Sequence, residues 1–190
     1  ESLAQAICLE MGSAIGFARA SQVPFGIAHV RAAIDVLEDY AFLRQQGSTA
    51  ILREAIGVCG LITPWNWPLY QVTAKVAPAI AAGCAVILKP SELSPFSAHL
   101  FAQIMHDAGT PAGIFNLVSV KRVTQELGGK SPNILLDDAD FDRVVPLGVA
   151  SAFRNVGQSC SAPTRMLVPT ERLAQVEALA ATAAAALVVG

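Results

Sequence analysis

The sequence predicts an α/β protein with a doubly wound parallel sheet, followed by the start of a second α/β domain. Apolar residues make up 53% of the 190 residues and charged residues only 15%, so many segments must be buried on more than one side. Between residues 55 and 119, short apolar runs alternate with helical periodicities. The links between these segments are short, as they are in βαβ units with right-handed crossovers.

The first predicted strand is the apolar run over residues 55–62, which ends at Thr63 because two prolines and an asparagine follow it. Pro68 suits the first turn of a helix, and Gly83 provides a left-handed stop at its end. Between these two residues, apolar or small side chains recur at helical spacing, namely Leu69, Val72, Thr73, Val76, Ala77 and Ile80.

The second predicted strand covers residues 84–89, and a second helix follows with Ser94 as its N-cap and Pro95 at its first position. This helix ends near Gly109, and residues 114–119 supply a third strand. The strands of such a unit are parallel, and ligands bind beyond their carboxyl ends. The sequences that follow the first two strands, TPWN and KPSE, are therefore candidate ligand contacts.

The segments before and after the predicted sheet, residues 1–54 and 121–190, show less regular sequence patterns. The first 54 residues read mostly as helix, with residues 35–46 an exposed amphipathic segment and residues 47–49 a turn. After Val120, the NILL run is strand-like and Asp140 can cap a helix that runs towards Phe153. Residues 178–190 are predicted as a buried helix that runs into a strand, since they fall short of the roughly 20 residues that a bilayer requires.

Charge and cysteine content exclude several classes of function. The net charge is −2 and the Lys and Arg residues are scattered, so nucleic acid and anionic membranes are poor partners. The amino terminus carries no secretion signal, so we expect a cytoplasmic protein. The cysteines, Cys8, Cys59, Cys84 and Cys160, form no C-x-x-C pair and have no histidine at zinc-site spacing, so neither a disulfide framework nor a metal site is predicted.

Two nucleotide-binding motifs are absent. The GGKS sequence at residues 128–131 lacks the earlier glycine of a P-loop, and no G-x-G-x-x-G follows the first strand. Lys89 and Glu92 nevertheless follow the second strand where a ribose could lie, and their charges suit its hydroxyls, although a solvated loop is an equal alternative. Glu92 would repel a 2′-phosphate, which favours NAD over NADP.

Three further residues are candidates for chemistry. Cys160 lies among small polar residues, as a nucleophilic thiolate requires, and the alternative is a chance exposed thiol. Asn66 stands between two tryptophans, a partly desolvated setting in which its side-chain amide requires a hydrogen-bond partner. The alternative is an asparagine that only stabilises a turn. Glu126 precedes a glycine pair that permits close backbone approach, and the alternative is a surface glutamate in a strand.

Four motifs occur in the order found in the NAD(P)-dependent aldehyde dehydrogenase superfamily, which the sequence therefore resembles. They are ITPWNWP, ILKPSE, QELGGKSPNILLDDAD and NVGQSC. The resemblance implies an aldehyde dehydrogenase-like α/β fold, with an NAD-binding domain over residues 1–120 and the amino-terminal part of a catalytic domain over residues 121–190. A homodimer or homotetramer is implied by family analogy alone.

The resemblance also implies a mechanism and a set of site residues. Cys160 would attack an aldehyde to give a thiohemiacetal, with Asn66 and the Cys160 backbone N–H as the oxyanion hole. Hydride transfer to the nicotinamide would leave a thioester, and Glu126 would activate the water that releases a carboxylic acid. The cofactor-binding residues would be Ile62, Thr63, Pro64, Trp65, Lys89, Ser91, Glu92 and Leu127. Glu126 favours this hydrolytic reaction over acyl transfer to coenzyme A, the alternative within the family.

The sequence departs from the family pattern after the third strand. Val120 runs directly into Lys121, whereas the family has a further βα unit there whose turn meets the pyrophosphate. Two interpretations stay open: part of a longer active dehydrogenase, or a truncated product that serves at most as a binding or interaction module. We favour the first, because the third strand runs at Val120 into sequence typical of the middle of another element, with no turn-forming residues between them.

Overall fold

The computed structural model describes residues 1–118 and 129–188. The chain divides into two compact units, Glu1–Glu126 and Leu127–Gly190. The domain boundary predicted between residues 120 and 121 lies outside the described residues and stays a prediction.

The first unit contains the predicted βαβαβ arrangement. Its parallel strands are β3 (Val58–Ile62), β4 (Ala85–Lys89) and β5 (Phe115–Leu117), in the order β3-β4-β5. The crossovers are α4 (Pro68–Ala81) and α5 (Pro95–Asp107). Pro68 and Pro95 stand at the helix starts, and Gly83 and Gly109 take positive φ angles just past the ends. The local signals for strands, caps and stops therefore place each of these elements correctly.

Amino-terminal helices complete the core of this unit. They are α1 (Ser2–Met11), the single turn α2 (Ile15–Phe17), a π-helical turn (Ala18–Gln22) and α3 (Val23–Asp39). Ile7 of α1 packs with Val72 and Val76 of α4 and with Val86 and Leu88 of β4, and each is at most 2% exposed. Burying side chains of this size stabilises the fold by about 1.5–3 kcal/mol each. This core fixes the positions of the strands whose carboxyl ends carry TPWN and KPSE.

The prediction that the first 54 residues are mostly helical holds only as far as Asp39, whereas the predicted exposure of residues 35–46 is confirmed for all but Phe42. The helix α3 ends at Asp39, and Leu43–Gln46 instead forms β1, which pairs antiparallel with β2 (Thr49–Leu52). The two-residue link places Gly47 at φ 62°, which glycine adopts without steric cost, and Gly-Ser is a hairpin signal. The apolar residues of this stretch suit a helix face as well as a strand, so the turn chemistry decides between them.

The amino-terminal cap of α5 differs from the prediction. Ser94 occupies the N-cap position, but its side chain makes no capping hydrogen bond. Glu10 of α1 takes that role, because its Oε2 accepts from the Phe96 N–H at 2.8 Å and both of its carboxylate oxygens lie 3.3 Å from the Ser97 N–H. A negative charge at this position also suits the positive end of the helix dipole. The carboxylate therefore ties α1 to the helix that follows the KPSE loop.

The Glu10 cap predicts a pH dependence of stability. Burial raises the pKa of Glu10 above 4.5, the ordinary glutamate value, and the hydrogen bonds from Ser97 and Phe96 offset this only in part. The folded chain then holds the proton more tightly than the unfolded chain, so the stabilising contribution is complete below pH 4.5 and is lost as the pH rises through the folded pKa. Glutamine does not titrate, so we expect Glu10→Gln to remove this loss of unfolding free energy. As the pH rises from 4.5 through the folded pKa of Glu10, the variant should therefore become more stable relative to the native chain.

Urea unfolding at a series of pH values measures this effect, and Glu92→Gln is the matched control. The Glu92 backbone N–H and then Lys89 lower the pKa of Glu92, so its contribution is lost as the pH falls, in the opposite direction. Parallel pH profiles for native protein and Glu10→Gln would contradict the prediction.

The second unit is a smaller α/β arrangement. Parallel strands β6 (Pro132–Ile134) and β7 (Arg165–Leu167) are joined through α6 (Phe141–Phe153) and a 3₁₀ turn (Arg154–Gly157). A second 3₁₀ turn (Thr170–Arg172) leads to α7 (Leu173–Ala185), which packs on α6. Asp140 stands at the N-cap of α6 as predicted, although its side chain makes no capping bond.

The prediction of a helix in residues 178–190 is confirmed as far as Ala185, but its predicted burial is wrong, and residues 189–190 of the predicted strand lie outside the described residues. Within residues 1–118 and 129–188, Val176 is the one buried residue of α7, and residues 187–188 form no strand. The alanine-rich composition that suggested burial reflects high helix propensity instead. No helix in the described part of the chain has the length and apolar character that a membrane span requires.

Candidate functional site

The ends of β3 and β4 bring most of the predicted cofactor-binding residues together. Ile62 and Lys89 are directly paired in the parallel register, and the Thr63 N–H donates to the Lys89 carbonyl oxygen at 3.2 Å. Thr63 is buried, Pro64 and Trp65 are half-buried, and Ile62 is exposed. Because both strands end at the same edge, the two motifs that follow them form one continuous rim.

The loop after β4 is fixed by internal contacts. The Lys89 Nζ lies 3.1 Å from the Glu92 Oε2, with the Lys89 side chain largely buried and that of Glu92 exposed. The buried Ser91 hydroxyl accepts a hydrogen bond from the Leu93 N–H at 3.2 Å. The loop therefore presents an ammonium and a carboxylate side by side, which together can donate to and accept from a pair of vicinal hydroxyls.

Asn66 lies in a constrained turn between β3 and α4. It is only 4% exposed, and the next residue, Trp67, adopts a left-handed conformation (φ 55°, ψ 48°) immediately before Pro68 begins the helix. A bulky residue in this region is strained by about 1–3 kcal/mol, so the surrounding packing must hold it there. The amide of Asn66 is thus held in a fixed position at the helix start.

A cluster of aromatic rings surrounds Trp67, the residue that follows Asn66, and sequence reasoning did not identify it. Phe25 stacks on Tyr70 with centroids 4.6 Å apart, and it meets the edge of Trp67 at 5.9 Å. His29, to which the sequence assigned no chemistry, lies 4.7 Å from Tyr70, and Phe17 lies 5.8 Å from Trp67. The available signal was the helical spacing of Phe25 with His29, which places that pair on one face of α3. These rings form one aromatic cluster that includes Trp67, the residue after Asn66 in the chain.

Cys160 of the second unit occupies the corner of a hydrogen-bonded turn. The Ala162 N–H donates to the Ser159 carbonyl oxygen at 3.0 Å, which puts Cys160 and Ser161 at the two central positions. Cys160 is exposed, while Ala162 is buried and anchors the turn. A thiol at such a corner is accessible to a substrate, as a nucleophile must be.

The other cysteines are less suited to nucleophilic chemistry. All four lie within the described residues, and Cys160 alone is exposed. Cys84 is buried, and its thiol raises the pKa of the neighbouring Cys59 through a side-chain hydrogen bond, which disfavours the Cys59 thiolate. In the part of the chain that the structure describes, no three His, Cys, Asp or Glu side chains come together as metal ligands would.

The predicted site residues are therefore distributed over both units. The first unit holds Asn66 and the residues at the ends of β3 and β4, and the second unit holds Cys160. Glu126 and Leu127 lie outside the described residues, so their roles as base and cofactor contact stay predictions.

Comparison with known proteins identifies related chains throughout this sequence. The model of the aldehyde dehydrogenase family matches residues 1–120 and 118–190. The 3-succinoylsemialdehyde-pyridine dehydrogenase of a Pseudomonas species is 45% identical over 229 positions, which cover 100% of this chain and 48% of that protein. The chain thus spans about half the length of the curated relatives that it matches.

Solved structures of aldehyde dehydrogenases are also similar to this chain. A cysteine-to-alanine mutant of aldehyde dehydrogenase C from Pseudomonas syringae, in complex with NAD⁺ and octanal, is 61% identical with a TM-score of 0.93, and the match covers 99% of this chain and 47% of that one. An NADP-dependent enzyme of E. coli is 29% identical with a TM-score of 0.87, over 99% of this chain and 48% of that one. The similarity extends over both units and includes neighbours that use either nicotinamide cofactor.

Proposed function

Because this chain belongs to the aldehyde dehydrogenase family, we propose that it carries the nucleophile and the ribose-binding part of an enzyme that oxidises an aldehyde to a carboxylic acid with NAD. The observation that carries the proposal is the exposure of Cys160 at the corner of a fixed turn, in contrast to the three other cysteines. An accessible thiolate is the group that a covalent mechanism for this oxidation requires.

The chemistry assigns a step to each residue. The Cys160 sulfur forms a bond to the aldehyde carbon, and the carbonyl oxygen becomes an oxyanion stabilised by the Asn66 amide and the Cys160 N–H. NAD, when bound, would supply the hydride acceptor for this carbon, and Cys160 would then carry the acyl group as a thioester. Glu126 then takes a proton from the water that attacks the thioester carbon; the C–S bond breaks, the acid and the Cys160 thiolate are released, and Glu126 passes its proton to solvent.

The residues at the sheet edge fit a dinucleotide ribose. Lys89 and Glu92 together offer a donor and an acceptor at the carboxyl end of β4, beside the buried Thr63. The exposed Glu92 carboxylate disfavours a second negative charge nearby, which supports NAD over NADP. Ile62, Pro64, Trp65, Ser91 and Leu127 complete the proposed cofactor contacts.

The aromatic cluster at Trp67, next to Asn66 in the chain, supports an apolar aldehyde as the substrate. Phe25, Trp67 and Tyr70 would bury an aliphatic or aromatic tail while the carbonyl lies at the amide. Two relatives agree with this class: one is named for a pyridine semialdehyde, and one was solved with octanal. The second also had a cysteine replaced, as is expected if a cysteine is needed to consume bound aldehyde and NAD⁺.

Covalent trapping tests the proposed reaction. On rapid mixing of the protein with octanal and NAD⁺ and an acid quench within the first turnover, we expect one acyl group on the Cys160 peptide by mass spectrometry, with one NADH formed per thioester. Omitting NAD⁺ is the control and should leave no acyl group, because the thioester requires loss of a hydride. An unmodified Cys160 peptide with no NADH would overturn the proposal.

A second candidate is a binding or interaction module without turnover. It is favoured by the alignment with the Pseudomonas dehydrogenase, which has 229 positions against 190 residues here, so the relative contains sequence within the matched region that this chain lacks. The intact mass of the purified protein separates the candidates. A mass of 19.8 kDa with no NADH formed supports the module, whereas NADH formation at any mass supports the enzyme.

A further inference from the structure

Gly129 lies directly against the main chain of Cys160. A Cβ built on Gly129 would lie 2.8 Å from the Cys160 carbonyl oxygen and 3.9 Å from its carbonyl carbon, both atoms belonging to the same unit as Gly129. Real Cβ contacts essentially never fall below 3.0 Å, and here the neighbour is backbone and not a flexible side-chain end. Only a residue without a side chain permits this approach.

The backbone of Gly129 does not itself require glycine. Its φ lies outside the left-handed region, in contrast to Gly157, whose φ is 72°. An alanine could adopt the same conformation at this position. The contact with Cys160 is therefore the steric reason for a glycine here.

The Cys160 turn is fixed on its other side by hydrogen bonds. The side chain of the buried Asn155 donates from Nδ2 to the Gln158 carbonyl oxygen at 3.0 Å, and the Gln158 N–H donates to the Asn155 carbonyl oxygen at 3.0 Å. The bond from the Ala162 N–H to Ser159 closes the turn itself. These bonds hold the residues on either side of Cys160, so a displacement of the Cys160 carbonyl falls mainly on Cys160 and Ser161.

We propose that Gly129 is a positioning residue for Cys160, because its missing side chain lets its own backbone approach the Cys160 peptide and set the position of that peptide. This inference rests on the proposed function of Cys160 as nucleophile. The peptide determines where the Sγ and the backbone N–H point, and the proposed reaction uses both groups. A residue earlier in the chain thereby sets the geometry of the nucleophile without touching the substrate.

The test is the variant Gly129→Ala, compared with Gly148→Ala. A Cβ at Gly148 would meet the Asn133 Nδ2 and Met166 Cε atoms where α6 packs on the β6–β7 sheet, so this control disturbs the same unit away from Cys160. We expect Gly129→Ala to shift the backbone amide resonances of Cys160 and Ser161, whereas Gly148→Ala shifts those of Asn133 and Met166. Thioester formation from octanal should slow by about 100-fold, the scale of a 1 Å misplacement, with little change in KM.

A second-site variant keeps the inference testable if Gly129→Ala folds poorly. Ser161→Gly gives the peptide after Cys160 more conformational freedom, so the double variant should recover stability and rate by turning the carbonyl away from the added methyl group. Unchanged Cys160 and Ser161 resonances, or a double variant no better than Gly129→Ala, would overturn the positioning role. If the native protein forms no thioester, the proposed function fails, while the resonance shifts still decide whether Gly129 sets the Cys160 main chain.

Discussion

Replacing Cys160 with serine is expected to abolish aldehyde oxidation while leaving NAD binding intact. The substitution changes one atom, and the exposed position at the turn corner tolerates either side chain, so the fold should be unaffected. A serine hydroxyl has no adjacent base in this turn and is far less nucleophilic than a thiolate. We expect a loss on the order of 10⁶-fold in kcat, the scale seen when a nucleophile is removed from a catalytic unit.

The matched control for this prediction is Cys8→Ser. Cys8 is a half-buried residue of α1, in the other unit and outside the proposed machinery. The measurements are NADH formation with octanal and NAD⁺ binding by quenching of tryptophan fluorescence. Oxidation that persists in Cys160→Ser, or that is lost equally in Cys8→Ser, would rule out Cys160 as the nucleophile.

The sheet of the first unit could be predicted from sequence because the residues that begin and end its crossover helices are local signals. Pro68 and Pro95 mark helix starts, and Gly83 and Gly109 take the left-handed stops, so each boundary depends on a few adjacent residues. The hairpin over residues 43–52 was missed because its apolar pattern fits either period, and pairing with a second strand decides the outcome. Exposure of α7 could not be predicted either, because alanine favours helix whether or not the helix is buried.

The candidate site was predictable where neighbouring strands determine it. The parallel register that pairs Ile62 with Lys89 follows from the βαβ topology, so the sequence places TPWN beside KPSE. Long-range contacts account for what was missed. The Glu10 cap joins residues 86 positions or more apart, and the approach of Gly129 to Cys160 depends on how β6, α6 and β7 pack. No local signal marks either contact, and the left-handed Asn155 and Val156 before the Cys160 turn are likewise set by tertiary structure.

Removal of the Asn66 amide should lower the rate of thioester formation without preventing folding. Asn66 is buried at the start of α4 and held between Trp65 and the left-handed Trp67, so its amide is oriented before substrate arrives. A preorganised donor stabilises the oxyanion more than the ground-state carbonyl, so its loss affects kcat more than KM. For Asn66→Ala we expect kcat to fall by about 10²–10³-fold.

Two comparisons distinguish this catalytic effect from a loss of packing. Asn116→Ala removes a half-buried amide of β5 that donates to the Val86 and Gly113 carbonyl oxygens, so it should lower Tm and leave kcat unchanged. Asn66→Asp keeps the shape but replaces the donor with a carboxylate, which repels an oxyanion, so it should be at least as slow as Asn66→Ala. If either Asn66 variant forms the thioester at the native rate, the oxyanion is stabilised elsewhere. If both are slow but Asn66→Asp is the faster, the amide acts by filling space, because shape alone then restores the rate.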